Sequence, residues 1–422
     1  MVSGLRDFMF FYLLSLNSIF FCRMRRLLAF VFFAFSICGN VYAQKKELAQ
    51  ARTYIKNGTN LDKAEASMRS LLKDSTNKKN IKIWLALTDA VKKQYEQGNE
   101  KLYLKQKYDT TALFVIGRRM FNDYESMDSI DALPNKKGRV EPKYRKKNAE
   151  YLNIYRKNLF NGGLFLIAKQ RYKDAFAMFD SYIDCIYQPL FSDMNYDANA
   201  ELVLKAAYLA TYCGVMFHDN DMALKYQEKA QAYIPGREKT LQYLANIWKE
   251  KGQTGLYCST LKKGFHDFPE SEYFFTRLVD FYNNKNQTDS AMTIVELALS
   301  NDSINSLYLY AKANILLNIG EYENCAQICN EIISKKDPVE DVYYTAGLAY
   351  LNLAFEAEKK LGRKDKIRAR FFYKKALPYM EKYRGLVPEQ KDKWASALYN
   401  IYLNLNMGKK FEEISAILQG YH

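Results

Sequence analysis

Eight prolines, three tryptophans and three histidines are few for a chain of 422 residues, and each shortage closes off a class of answer. Scarce proline leaves long helices uninterrupted. The histidines, His218, His266 and His422, are widely spaced, and none has a partner at metal-ligand spacing. A phosphate-cradling glycine loop and a nucleophile elbow are both missing. Ser70 and Lys73 have the spacing of an acylating pair, but the companion motifs are absent and the pair falls inside a helical stretch. Beyond residue 43 there are five cysteines, Cys185, Cys213, Cys258, Cys325 and Cys329. An odd number spread this way implies no disulfide framework. Cys325 and Cys329, one helical turn apart, read as small buried hydrophobes. These shortages argue against an enzyme and call for no cofactor and no metal.

Thirty-four tyrosines and 26 phenylalanines supply the bulk that a helical core needs, and 48% of the chain is apolar. The net charge is +15; four arginines and one aspartate fall in residues 1–43, leaving +12 for the rest. A balance of that size suits an anionic partner surface or a soluble basic one. The leader holds two apolar runs, Phe8 to Phe21 and Leu27 to Cys38, separated by Arg23, Arg25 and Arg26. The second run, with Val41 and Ala43 before Gln44, has the form of a signal peptide at 1–43 whose true start is Met24. Export to the periplasm or the envelope is the expectation.

Downstream, residues 44–130 read as divergent helical hairpins. Asn60 is expected to cap a second helix, and a long connection is expected from Gln97 to Thr110. Residues 131–147 are the clearest break, a basic linker punctuated by Pro134, Gly138 and Pro142. Only Tyr144 is interleaved with its cations, too few aromatics for stacking on nucleic acid, so a solvated loop is the default and no nucleic acid is expected. A frame at Arg156 brings Gly163 and Ala175 to where two helices approach closely, and residues 188–200 form an insertion.

From Leu204 the chain repeats every 34 residues, with frames at 204, 238, 272, 306 and 340. Position 20 carries Ala223, Tyr257, Ala291 and Cys325, position 27 carries Ala230, Gly264, Ala298 and Ile332, and position 15 carries Gly252 and Gly320. Position 32 is Pro235 and Pro269, with Pro338 one place late. This pattern resembles the tetratricopeptide repeat (TPR) family. In the last frame Ala376, Met380 and Tyr383 match only after an insertion of 17 residues tipped by Lys359, Lys360, Arg363 and Lys364. Trp394 to Leu405 and Phe411 to Leu418 form a capping hairpin.

The resemblance implies an all-α fold, a right-handed superhelical TPR solenoid of antiparallel hairpins over 148–422, with extended hairpins at the insertions. It also implies a concave groove lined by positions 2, 5, 9 and 12 of each first helix. Carried over, these begin with Lys205, Tyr208, Tyr212 and Val215. The second frame gives Lys239, Gln242, Asn246 and Lys249, and the third Tyr273, Thr276, Asp280 and Asn283. Leu307, Tyr310, Asn314 and Leu317 follow, then Asp341, Tyr344, Leu348 and Leu351. Asn246 and Asn314 recur at position 9, where an amide can donate to and accept from a peptide backbone. The implied function is an exported scaffold, monomeric or weakly oligomeric, that binds a protein or peptide without catalysis. The alternative is an envelope- or carbohydrate-associated protein using basic loops 136–147 and 359–370.

Overall fold

The computed structural model describes residues 44–335, 340–360 and 362–420. The leader at 1–43, Pro338 and His422 lie outside the described residues. Among those described there is no strand; the fold is all-α.

Two compact units divide at Arg237 and Glu238. The first contains α1 (residues 44–57), α2 (Leu61–Lys73), α3 (Ile81–Tyr103), α4 (Thr110–Asp131), α5 (Arg145–Ala168) and α6 (Tyr172–Asp184). A 3-10 turn, Pro189–Met194, leads to α7 (Glu201–Met216), α8 (Asn220–Leu224) and α9 (Gln227–Ala232). The second is built from α10 (Arg237–Glu250), α11 (Thr254–Asp267), α12 (Glu272–Asn284), α13 (Thr288–Asn301), α14 (Ser306–Asn318) and α15 (Tyr322–Ser334). It ends with α16 (Glu340–Glu358), α17 (Arg363–Leu386), α18 (Lys391–Leu405) and α19 (Gly408–Gln419).

The 34-residue period is a backbone period. Asn220, Thr254, Thr288 and Tyr322 open the second helices of successive hairpins at that interval, and α12, α14 and α16 begin on the frame starts 272, 306 and 340. What fixes the spacing is one turn used repeatedly. Six of the first helices end in a left-handed residue: Gln170 (φ 57), His218 (φ 57), Gly252 (φ 67), Asn286 (φ 54), Gly320 (φ 86) and Asn406 (φ 58). The next residue's N–H reaches back five residues at 2.9 Å, as from Asp219 to Gly214, Gln253 to Trp248, Gln287 to Tyr282 and Glu321 to Leu316. This is the Schellman closure, which satisfies a helix-end carbonyl and reverses the chain. Sequence shows the requirement only where glycine meets it; His218 and Gln170 adopt the same conformation against their Cβ preference. His218→Gly is therefore expected to stabilise the protein by about 0.5–1 kcal/mol, and Gly320→His to destabilise it comparably. Thermal unfolding checks this, and unchanged midpoints for both would contradict the turn's role.

Packing follows the expected small positions. A Cβ on Gly163 would lie 2.5 Å from Cζ of Phe179, so α5 meets a ring of α6 there, and Ala175 of α6 is fully buried. Phe160 adds an edge-on contact to the same ring at 5.6 Å. Ala376, Met380 and Tyr383 are fully buried, as the displaced frame requires. Cys185, Cys213, Cys325 and Cys329 are buried free thiols, and Cys258 is half-buried.

Several expectations are corrected. Asn60 makes no side-chain cap; it precedes α2 at φ 49, serving the turn by tolerating the left-handed region. The connection expected over 97–110 is shorter, because α3 runs on to Tyr103. Gly98 is helical, and it admits no side chain because a Cβ there would come within 2.8 Å of the Tyr108 ring folded back upon it. The second helix of the frame at 204 breaks into α8 and α9 at Lys225 and Tyr226, which both bind Asp180 of α6, the Tyr226 hydroxyl at 2.7 Å. Residues 132–144 join α4 and α5 as a loop, and the core of the first unit continues on both sides of it.

Candidate binding face of the second unit

Alternate helices of the second unit, α10, α12, α14 and α16, are the first helices of its hairpins, and the carried-over positions fall on them. Lys239, Asn246, Lys249 and Asp280 are exposed, and Gln242, Asn283, Tyr310, Asn314, Asp341 and Tyr344 are half-buried. None of the ten belongs to the core. Their apolar neighbours do: Leu241 and Ala245 of α10 pack with Leu261, Phe265 and Phe274, and Phe275 meets Tyr308 at 4.5 Å. Helical periodicity thus turns one side of each first helix inward and leaves the other available.

The polar side chains on α10 and α12 are organised. Lys239 Nζ donates to Gln242 Oε1 (3.0 Å), and Gln242 Nε2 donates to Glu238 Oε1 (3.0 Å). Ser271 Oγ, beside the start of α12, donates to the same Glu238 oxygen at 2.7 Å. The Tyr273 hydroxyl donates to Asn246 Oδ1 at 2.6 Å, and the Arg277 guanidinium lies 3.7 Å from the centre of its ring. Burial pushes the Tyr273 phenol up to about 12, with Arg277 opposing, so it stays a donor at neutral pH. Asn314 Oδ1 accepts from Thr345 Oγ1 of α16 at 3.3 Å. The two position-9 asparagines therefore commit their carbonyl oxygens to the neighbouring hairpin. What they can offer a ligand is the amide Nδ2 as donor and the second lone pair of the oxygen.

At α16 the face closes. Asp341 Oδ1 accepts from the Tyr383 hydroxyl (3.1 Å) and from Lys393 Nζ (3.2 Å), while Tyr344 and Tyr383 pack with ring centres 5.1 Å apart. Leu351, carried over as a surface position, is buried beside Trp394 and Leu398 of α18. Asp341, Tyr344 and Leu351 thus hold the terminal hairpins, a demand on α16 that the earlier first helices do not meet. The uncovered part runs over α10, α12 and α14.

In the first unit, position-5 Tyr208 packs on Tyr233 at 5.6 Å and against Gly236, where a Cβ would come within 2.7 Å of its ring. Tyr212 meets Tyr172 edge-on at 6.0 Å. The basic loop also has a structural member: Arg145 Nε and Nη2 hold Asp128 at 2.9 and 2.7 Å. Lys136, Lys137, Arg139 and Lys143 are exposed.

Sequence reasoning overlooked a charged cluster linking α2, α3 and α4. Arg69 binds Asp123 through Nη1 and Nη2 (3.0 and 2.6 Å) and Glu65 through Nε (2.8 Å). Arg119 Nη2 and Gln94 Nε2 donate to the other Glu65 oxygen at 3.0 and 2.8 Å. Glu65 and Asp123 are buried. Both carboxylates are engaged by neighbours, so the cluster reads as a clasp between helices rather than a site. Residues 54 apart give no local signal for it. Ser70 and Lys73 are exposed on α2.

No protein-family model matches the chain, and no curated protein matches it. Among solved structures, it is similar to the C-terminal part of a TPR repeat-containing protein from Cytophaga hutchinsonii: 15% identity, TM-score 0.36, covering 60% of this chain and 98% of that one. It is also similar to PilF of Pseudomonas aeruginosa, at 13% identity and TM-score 0.32 over 61% of this chain and 98% of that one. A third is YrrB, titled a TPR protein with an unusual peptide-binding site, at 16% identity and TM-score 0.26 over 58% and 93%. The repeat assignment rests on this chain's own 34-residue spacing of helix starts and turns.

Proposed function

We propose that this chain, a TPR protein by the spacing and closure of its hairpins, is a non-catalytic scaffold that binds an extended protein or peptide segment across α10, α12 and α14. The observation that carries the reading is the contrast along one set of positions. Those on α10, α12 and α14 are exposed or half-buried at a constant 34-residue spacing, whereas on α16 Leu351 is buried and Asp341 and Tyr344 are engaged by Tyr383 and Lys393. Equivalent positions on uninterrupted repeats form a row, and a row of modest contacts suits an extended chain.

The chemistry varies along that row. Lys239 and Lys249 on α10 favour a carboxylate. Asn246, Asn283 and Asn314 offer amide N–H groups to backbone carbonyls. Leu307, Tyr310 and Leu317 on α14 are half-buried and suit an apolar side chain. The preferred segment carries an acid toward α10 and an aliphatic or aromatic residue toward α14.

Peptides selected on the full chain from a displayed random library provide the test. Changing Asn246, Lys249, Asn283, Tyr310 and Asn314 together to alanine is expected to weaken them by about tenfold or more, with helical content by circular dichroism retained. Two interhelical acceptors are lost in that variant, at about 1 kcal/mol each, so a modest fall in melting temperature is expected as well. Selected peptides that bind the folded variant as well as the wild type would overturn the proposal.

A further inference from the structure

The insertion in the last repeat builds a second surface with different chemistry. From Arg363 to Met380, α17 carries seven cations and a single acid, Asp365. Its buried stripe is Ala369, Phe372, Tyr373, Ala376, Met380 and Tyr383. At 100° per residue the opposite side is centred on Ile367, Phe371 and Pro378. Ile367 is 67% exposed and Phe371 53%, one helical turn apart on the side of the helix where solvated polar groups are the rule. Cations border this apolar strip on both edges: Arg363, Arg370 and Lys374 along one, Lys364, Arg368 and Lys375 along the other. All six are exposed. An open cleft of about 690 Å³ adjoins the first edge, lined by Arg363, Lys366, Ile367 and Arg370, with Glu358 and Asn404 on its other side.

We propose that this face of α17 docks peripherally on an anionic phospholipid bilayer, independently of the peptide-binding face on α10–α14. The pairing of chemistries selects the occupant. Six exposed cations, of which Arg368 is paired with Glu323 at 3.3 Å, call for a polyanion, and a soluble polyanion would give two outward-facing apolar side chains nothing to bury against. A lipid interface meets both demands, taking Ile367 and Phe371 among the acyl chains near the headgroups while the flanking lysines and arginines meet the phosphates. Long lysine and arginine stems suit this, because the charge can stay in the headgroup layer while the stem lies on the apolar strip. No helix among the described residues is long and apolar enough to cross a membrane, so the contact is of the surface kind.

Sedimentation of the full chain with phosphatidylcholine vesicles, with and without phosphatidylglycerol, tests the proposal. Binding is expected only with phosphatidylglycerol, and it should weaken with added salt. Changing Arg363, Lys364, Lys366 and Arg370 together to glutamine should lower it by more than about tenfold. Ile367→Ser with Phe371→Ser, which leaves every charge in place, should also lower it severalfold. All of these residues are exposed, so each variant is expected to fold, which circular dichroism checks. Phe371→Trp should show a blue-shifted emission on phosphatidylglycerol vesicles. Three results would overturn the assignment. The first is equal binding to both kinds of vesicle. The second is full vesicle binding by the double-serine variant, or a tryptophan emission that does not move. The third is a strip that instead holds two copies together, seen as a dimer by light scattering that the double-serine variant abolishes.

Discussion

Gly214→Leu is expected to destabilise the first unit by about 3 kcal/mol or more, at the upper end of what overpacking costs. Gly214 lies in α7 where α8 crosses it, and a Cβ there would stand 2.5 Å from Cα of Ala223, with the Ala223 nitrogen closer still. Those are backbone atoms and cannot rotate away. Elsewhere the obstruction is a ring, Phe179 opposite Gly163 and Phe274 opposite Gly264, and a ring can tilt at some cost. Gly255→Leu is the control, since nothing lies within 4 Å of its Cβ position and its φ is not positive. Gly138 serves less well; it faces open space, but at φ 76 it resists any side chain for a reason unrelated to packing. Thermal unfolding followed by circular dichroism separates the cases. A Gly214→Leu chain that melts with the Gly255→Leu chain would refute the close approach of α7 and α8.

The second large effect is expected at Tyr383. Its ring is fully buried against Tyr344, and its hydroxyl lies 3.1 Å from Asp341 Oδ1 and 2.8 Å from Gln390 Oε1. Burial, with Asp341 adding to it, raises the phenol pKa, so the group remains protonated and can donate. Tyr383→Ala should cost about 3–5 kcal/mol through the cavity, whereas Tyr383→Phe should cost about 1–2 kcal/mol through the lost hydrogen bond. Urea unfolding of the two variants measures the difference. Equal losses would mean that the ring's packing contributes little and that the polar seam alone fastens the terminal hairpins.

These two positions mark how far the sequence could be read. Periodicity located the hairpins because the turn between their helices recurs at one backbone conformation, and glycine at 252 and 320 made it visible. The same turn at His218 and Gln170 was invisible, since no composition rule singles out those residues for the left-handed region. Helix length within the first unit was misjudged over the expected connection from Gln97 to Thr110, where α3 runs on to Tyr103 and Gly98 serves a close approach to Tyr108. On the candidate face, repeat position told which side of a helix Asn246 and Asn314 occupy, but not that neighbouring hairpins take their carbonyl oxygens. Nor could it tell that Asp341 and Leu351 are drawn into the terminal packing. Both depend on contacts 27 or more residues away, and a repeat frame assigns a position without naming its neighbours.

The unbroken spacing from α10 to α15 also governs how this unit acquires its structure. Each helix there finds its partners in the adjoining turn or the adjoining hairpin, so the chain segments that must meet are never far apart along the backbone. Relative contact order is correspondingly low, and ordering can begin at any of several hairpins and spread to its neighbours in small, rapid steps. A folding nucleus is thus interchangeable among repeats, and a lesion in one hairpin slows its own zippering more than it blocks the rest.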